Sequence, residues 1–197
     1  MANSRLPLTV GIAWLAIAVA ASASGRLGTL QFPAPQLVLL GLTAALMIAV
    51  FRAPPIRDWV ASLPLTALVA LHLTRLVAGA AFLLWYSRGE LPGAFALPTG
   101  WGDIAVALLA GVLLLTRSPA EPANRGLYTF WNLFGLADIL LVVANAARTG
   151  MTDPAGMAPL LHLPLSLLPT WLVPIIIVSH VVIGLRLREG KTDRTDR

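Results

Sequence analysis

The 197-residue chain contains no cysteine. That absence excludes disulfides, thiolate metal sites and cysteine nucleophiles together. Charge is scarce as well. Only 12% of the residues are Asp, Glu, Lys or Arg, against roughly 25% in an ordinary soluble domain. No segment alternates with the period of two that barrel strands require. A Walker loop, a GxGxxG following a strand, HExxH and GxSxG are all missing, so an enzymatic activity has no motif to rest on. The glycines of "GAFALPTGWGD" lack the spacing and the preceding strand that phosphate binding needs. Without CxxCH, covalent haem attachment is excluded too.

What the chain has instead is apolar length: 57% of it is hydrophobic and its mean hydropathy is +0.80. Repeated apolar segments near 20 residues, each ended by arginine, proline or glycine, read as spanning helices. The expected fold is all-α, a polytopic transmembrane bundle of about six helices forming a single domain over residues 1–187. The spans are expected at about 6–24, 35–51, 62–86, 101–116, 127–147 and 167–187. Between them lie "RAPPIRD", "GELPG", "RSPAEPANRG" and "RTGMTDPAG", rich in turn formers. The entrance "LPTGWGD" to the short fourth span is expected near the interface. Residues 157–168 are apolar but broken by prolines, and read either as an interfacial helix or as the kinked start of the last span. The tail 188–197, "REGKTDRTDR", lacks apolar residues and is expected to be disordered in the cytoplasm.

Basic residues set the orientation. With the N-terminus inside, ten lie on the inner side: Arg5, Arg52, Arg57, Arg117, Arg125, Arg186, Arg188, Lys191, Arg194 and Arg197. Three lie outside, Arg26, Arg88 and Arg148, and Arg75 falls within a span. The positive-inside rule then places both termini in the cytoplasm. Because these charges flank apolar segments, the net charge of +5 is an orientation signal and nucleic acid is not an expected partner; the lipid bilayer is. Self-association is left open. A cleaved leader is the rival reading of the first span, since Ala21-Ser22-Ala23 fits a small-residue cleavage site.

The third span, "LVALHLTRLVAGAAFLLWY", carries His72 and Arg75 inside an otherwise lipid-compatible run. An arginine in the bilayer core costs at least about 2.5–3.5 kcal/mol on insertion scales, so it should face the bundle and find a partner. At about 1.5 Å of rise per residue, Arg75 lies about 16 Å below the outer end of its helix and Asp138 about 13–14 Å below the end of its own. Asp138 is therefore the expected counter-ion, and the pair reads equally as a structural staple and as a functional site. Asn145 falls on the same helical face as Asp138, together with Trp131 and Val142. His72, Arg75, Asp138 and Asn145 are the expected intramembrane polar cluster. Asp103 is expected at the outer entrance, as a helix cap, and His162 beside it in the proline-broken segment.

His72 and His180 stand at matching depths, about 21 and 20 Å from the outer ends of their spans. Two level histidines could ligate a haem b, with the arginine beside a propionate; the competing reading gives them backbone or hydroxyl partners such as Ser179. No metal is expected, since zinc would need more converging ligands. No cofactor is expected either, haem b being the alternative.

The run "TRLVAGAAFLLWYSRGELPGAFALPTGWGDIAVALLAG", followed by "WNLFGLADIL", resembles a group of small multi-pass bacterial membrane proteins with no established activity. The resemblance covers Thr74 to Leu140 and implies a bacterial polytopic protein with Asp103 and Asp138 at pattern positions. It implies no mechanism or cofactor. The functional expectation is thus a protein of the bacterial inner membrane whose buried polar cluster binds or translocates a small polar or ionic solute. A bis-His cytochrome and a ligand-free assembly protein are the alternatives. A reporter fused to the C-terminus should be active only in the cytoplasm; activity confined to the periplasm would overturn the orientation.

Overall fold

The computed structural model describes residues 5–190. Helix is the only regular secondary structure among the described residues, with no strand among them. The α-helices are α1 (Arg5–Ala23), α2 (Ala34–Arg52), α3 (Pro54–Ser62), α4 (Leu65–Leu71), α5 (Thr74–Ser87), α6 (Gly93–Thr116), α7 (Arg125–Thr152) and α8 (Val173–Glu189). Six stretches are long and apolar enough to cross a membrane: Leu6–Ala23, Ala34–Arg52, Leu65–Ser87, Gly93–Thr116, Pro122–Thr152 and Leu168–Glu189. Many large apolar side chains stay exposed on them, Leu115 and Val77 most of all, which suits a lipid solvent rather than water.

Four details depart from the sequence expectation, and proline or local hydrogen bonding explains each. "RAPPIRD" is not a plain turn. Pro54 and Pro55 occupy the first two positions of α3, where a missing N–H costs nothing and the fixed φ favours a helix. The fourth span starts at Gly93 rather than near 101, so "LPTGWGD" is helix interior. Gly89 turns the chain with φ +74°, and Pro92 leads into the helix in extended conformation. Pro98 lies inside α6 and leaves the carbonyl of Ala94 without its helical donor. The side-chain amide of Asn145 replaces that donor, with Nδ2 3.0 Å from Ala94 O.

The third span is interrupted. α4 stops at Leu71 and α5 resumes at Thr74. Across the join His72 N–H donates to Val69 O, Leu73 to Ala70 and Arg75 to His72, all three residues back. Such a tightened turn eclipses positions i and i+3, which aligns His72 with Arg75. The segment before α8 forms neither one interfacial helix nor a plain kink. It contains a 3-10 turn at Ala158–Leu161 and a π-helical turn at Leu168–Leu172. The disordered tail expected at 188–197 falls largely outside the described residues.

Contacts divide the chain into two compact units, with boundaries inside α7 and α8. One unit runs up to Leu63 and adds Ala146–Val178. Within it the indole N–H of Trp14 donates to Thr170 O at 3.0 Å, Ser166 Oγ bonds Ser22 Oγ at 2.8 Å, and the ring of His162 lies against Gly28. The other unit comprises Pro64–Asn145 and continues from Ser179. Its main seam is α5 on α6, where Gly79 and Gly100 meet so closely that a Cβ at Gly79 would lie 2.5 Å from the Gly100 carbonyl. Phe82 and Phe95 continue the seam edge to face, 5.3 Å between centroids. Small residues permit such approach where no hydrophobic force drives helices together in lipid.

Candidate functional site

The second unit buries an arginine almost completely: the Arg75 side chain is 2% exposed. Each polar edge of its guanidinium meets an acceptor. Nε donates to Asp103 Oδ1 at 2.6 Å, Nη1 to the carbonyl of Gly135 at 3.1 Å, and Nη2 to Asp138 Oδ2. The three acceptors come from α6 and α7, so one α5 side chain ties two neighbouring helices.

The sequence placed Asp138 opposite Arg75 by depth, and the two are paired. It placed Asp103 at the outer surface as a cap. That placement is corrected: α6 begins ten residues earlier, and Asp103 lies inside it, buried, on the arginine. Asn145 is not part of the cluster, being occupied with Ala94 near the start of α6. His162 belongs to the first unit, against Gly28. The Gly135 carbonyl is a partner that sequence reasoning missed, and a backbone acceptor leaves no signal in residue type.

Space for this arrangement is made by glycine. A Cβ at Gly102 would fall on the Asp138 carboxylate, and one at Gly135 would lie 2.6 Å from the His180 ring. With Arg75 positive and both carboxylates negative, the cluster carries one negative charge in excess. Asp138 is its more open end, at 15% side-chain exposure against 4% for Asp103.

Beside the arginine lie two fully buried histidines. Their ring centroids are 4.1 Å apart, tilted by 44°, and Trp131 flanks both at 5.1 and 5.7 Å. Asn132 grips His180 twice: Nδ2 donates to the His180 carbonyl at 3.1 Å, while Oδ1 lies 2.9 Å from Nδ1. An amide oxygen can only accept, so Nδ1 carries the proton and Nε2 of His180 presents a lone pair. His72 Nε2 lies 3.1 Å from Ser179 Oγ. Each of the two rings has one nitrogen without a hydrogen-bond partner, Nδ1 of His72 and Nε2 of His180.

This geometry does not fit haem b. Axial ligands stand on opposite faces of a macrocycle with iron between them. Rings 4.1 Å apart are already near the contact separation of about 3.5–4.0 Å between carbons, and no layer remains for a porphyrin. Among the described residues no group of three or more His, Cys, Asp or Glu could hold a metal ion.

The charge arithmetic predicts an asymmetric set of mutational losses. Arg75→Gln strands two buried carboxylates and should destabilise the protein by roughly 3–5 kcal/mol, the scale for breaking a buried pair. Asp138→Asn leaves a balanced Arg75–Asp103 pair and should cost clearly less. In reversible unfolding from detergent, adding Asp103→Asn to Arg75→Gln should recover part of the loss. Strictly additive losses would reject the shared pairing.

The comparisons place these residues in a family without supplying a function. No curated protein and no solved structure matches the chain. A family described as a domain of unknown function (DUF8737) matches residues 32–188, a stretch that contains Arg75, both carboxylates and both buried histidines, and the chain belongs to that family.

Proposed function

We propose that the chain is a multi-pass protein of the bacterial cytoplasmic membrane, with both termini inside, whose second unit binds or passes a small cation or other polar donor. The ten-to-three division of basic residues supports the orientation, and the resemblance of Thr74–Leu140 supports the bacterial setting. The observation that carries the functional reading is that one guanidinium faces two carboxylates in a buried core, which with both ionised leaves one negative charge in excess. A ligand-free staple would need only one carboxylate, because a second adds an uncompensated buried charge. An anionic solute at Arg75 would compete with two carboxylates and a backbone carbonyl already bonded to its Nε, Nη1 and Nη2. A cation removes the imbalance. The break between α4 and α5 supports passage, because interrupted helices at mid-depth are how helical transporters expose ion sites.

The test is thermal unfolding of the protein in nanodiscs, with sodium, potassium or ammonium chloride at constant ionic strength and over a range of pH. The midpoint should rise with one of these cations or with acid, and the dependence should shrink in Asp138→Asn. A midpoint indifferent to every cation and to pH would favour an assembly protein without a ligand.

A further inference from the structure

We propose that the end of the second unit where α6, α7 and α8 meet retains an anionic phospholipid, its phosphate on Arg117 and one acyl chain along α7. Three helix ends are tied together there. The Tyr128 hydroxyl donates to the Arg117 carbonyl at 2.8 Å, which fixes the end of α6 against the first turns of α7. The Arg125 guanidinium donates to the carbonyls of Leu187 and Arg188, which fixes the end of α8 to the start of the same helix. These ties gather Arg117, Arg125, Arg186 and Arg188 at one end, against two acids, Glu121 and Glu189. Glu121 is itself engaged by the Asn124 amide, with Nδ2 3.0 Å from its Oε2. Arg125 is spent on carbonyls, whereas Arg117 and Arg188 stand exposed.

Apolar surface continues directly from these charges. Leu115, two residues before Arg117, is 87% exposed. Leu127, Phe130, Phe134 and Leu141 are exposed too and share one face of α7. The rings of Phe130 and Phe134 stack nearly parallel, 6.4 Å between centroids. Tyr128, which holds the Arg117 carbonyl, follows Leu127 in the chain, so Arg117 belongs to the head of this stripe. From Leu127 to Leu141 the rise is about 21 Å, more than half of a hydrocarbon core about 30 Å thick. One acyl chain therefore fits along it with its headgroup at the level of Arg117. A planar guanidinium matches phosphate oxygens two at a time. The net positive end favours an anionic headgroup over one whose phosphate is already neutralised by choline. This surface lies apart from the Arg75 cluster and does not depend on a cation there.

Native mass spectrometry of the full-length protein, extracted from liposomes of mixed phosphatidylglycerol and phosphatidylcholine, tests the proposal. Phosphatidylglycerol should be retained roughly fivefold above its share of the mixture, the scale for one basic side chain at an anionic surface. Arg117→Gln should lose most of that enrichment. Arg88→Gln, which removes an exposed arginine elsewhere in the unit, should leave it unchanged. Should Arg117→Gln fail to fold, Arg117→Lys keeps the charge without the planar fork and should weaken the enrichment; an unchanged value there would reject the contact. Equal retention of the two lipids by the unaltered protein would overturn the proposal. So would equal losses in Arg117→Gln and Arg88→Gln, the mark of a diffuse charge effect. Binding of inorganic phosphate in phosphatidylcholine alone, with no lipid preference, would assign the arginines to a soluble anion and overturn it too.

Discussion

Burial of the Arg75 guanidinium is the constraint around which the second unit is arranged. A charged group taken out of water is tolerated only when its partners are complete, and these partners arrive from two other helices. Asp103 brings α6 to α5, while Asp138 and the Gly135 carbonyl bring α7. The glycines follow from the same demand. Gly79 lets α6 approach the α5 backbone, Gly102 makes room for a carboxylate, and Gly135 makes room for an imidazole. In lipid, where apolar side chains gain little by leaving one tail for another, such polar ties and close backbone contacts supply the specificity that a hydrophobic core gives a soluble protein.

The helical class and the six membrane-capable segments were legible because hydropathy and length alone decide them. The opposition of Arg75 and Asp138 was legible from depth, since both lie well inside long, mainly apolar runs. Asp103 was misplaced because "LPTGWGD" reads as a helix entrance, with its proline and glycines. The chain keeps Pro98 inside the helix by borrowing a donor from Asn145, 51 residues from the Ala94 carbonyl it serves. With α6 starting at Gly93, Asp103 lies buried inside it, and Asn145 serves the Ala94 carbonyl. The break at His72 left no composition signal: "LHLT" contains neither glycine nor proline, and the i+3 hydrogen bonds across it are a tertiary outcome.

The charge count and the histidine contact bear on function from opposite directions. Equal depth made His72 and His180 look like axial ligands, yet equal depth on neighbouring helices also brings rings into direct contact, and contact excludes a macrocycle. What remains is a buried core in which two carboxylates meet one arginine, beside two imidazoles that each have one nitrogen without a hydrogen-bond partner. Such a core is expensive to build for rigidity alone, because a single carboxylate would already balance the arginine. That surplus is the ground for the proposed cation site.

The central claim is that two carboxylates converge on one arginine. Solid-state NMR in lipid bilayers tests it most directly, by measuring dipolar contacts between arginine side-chain 15N and aspartate 13Cγ. Two aspartate carbons should show close contacts to the Arg75 guanidinium, one disappearing in Asp103→Asn and the other in Asp138→Asn. A guanidinium in contact with one carboxylate, or with neither, would contradict the excess charge on which the functional account depends.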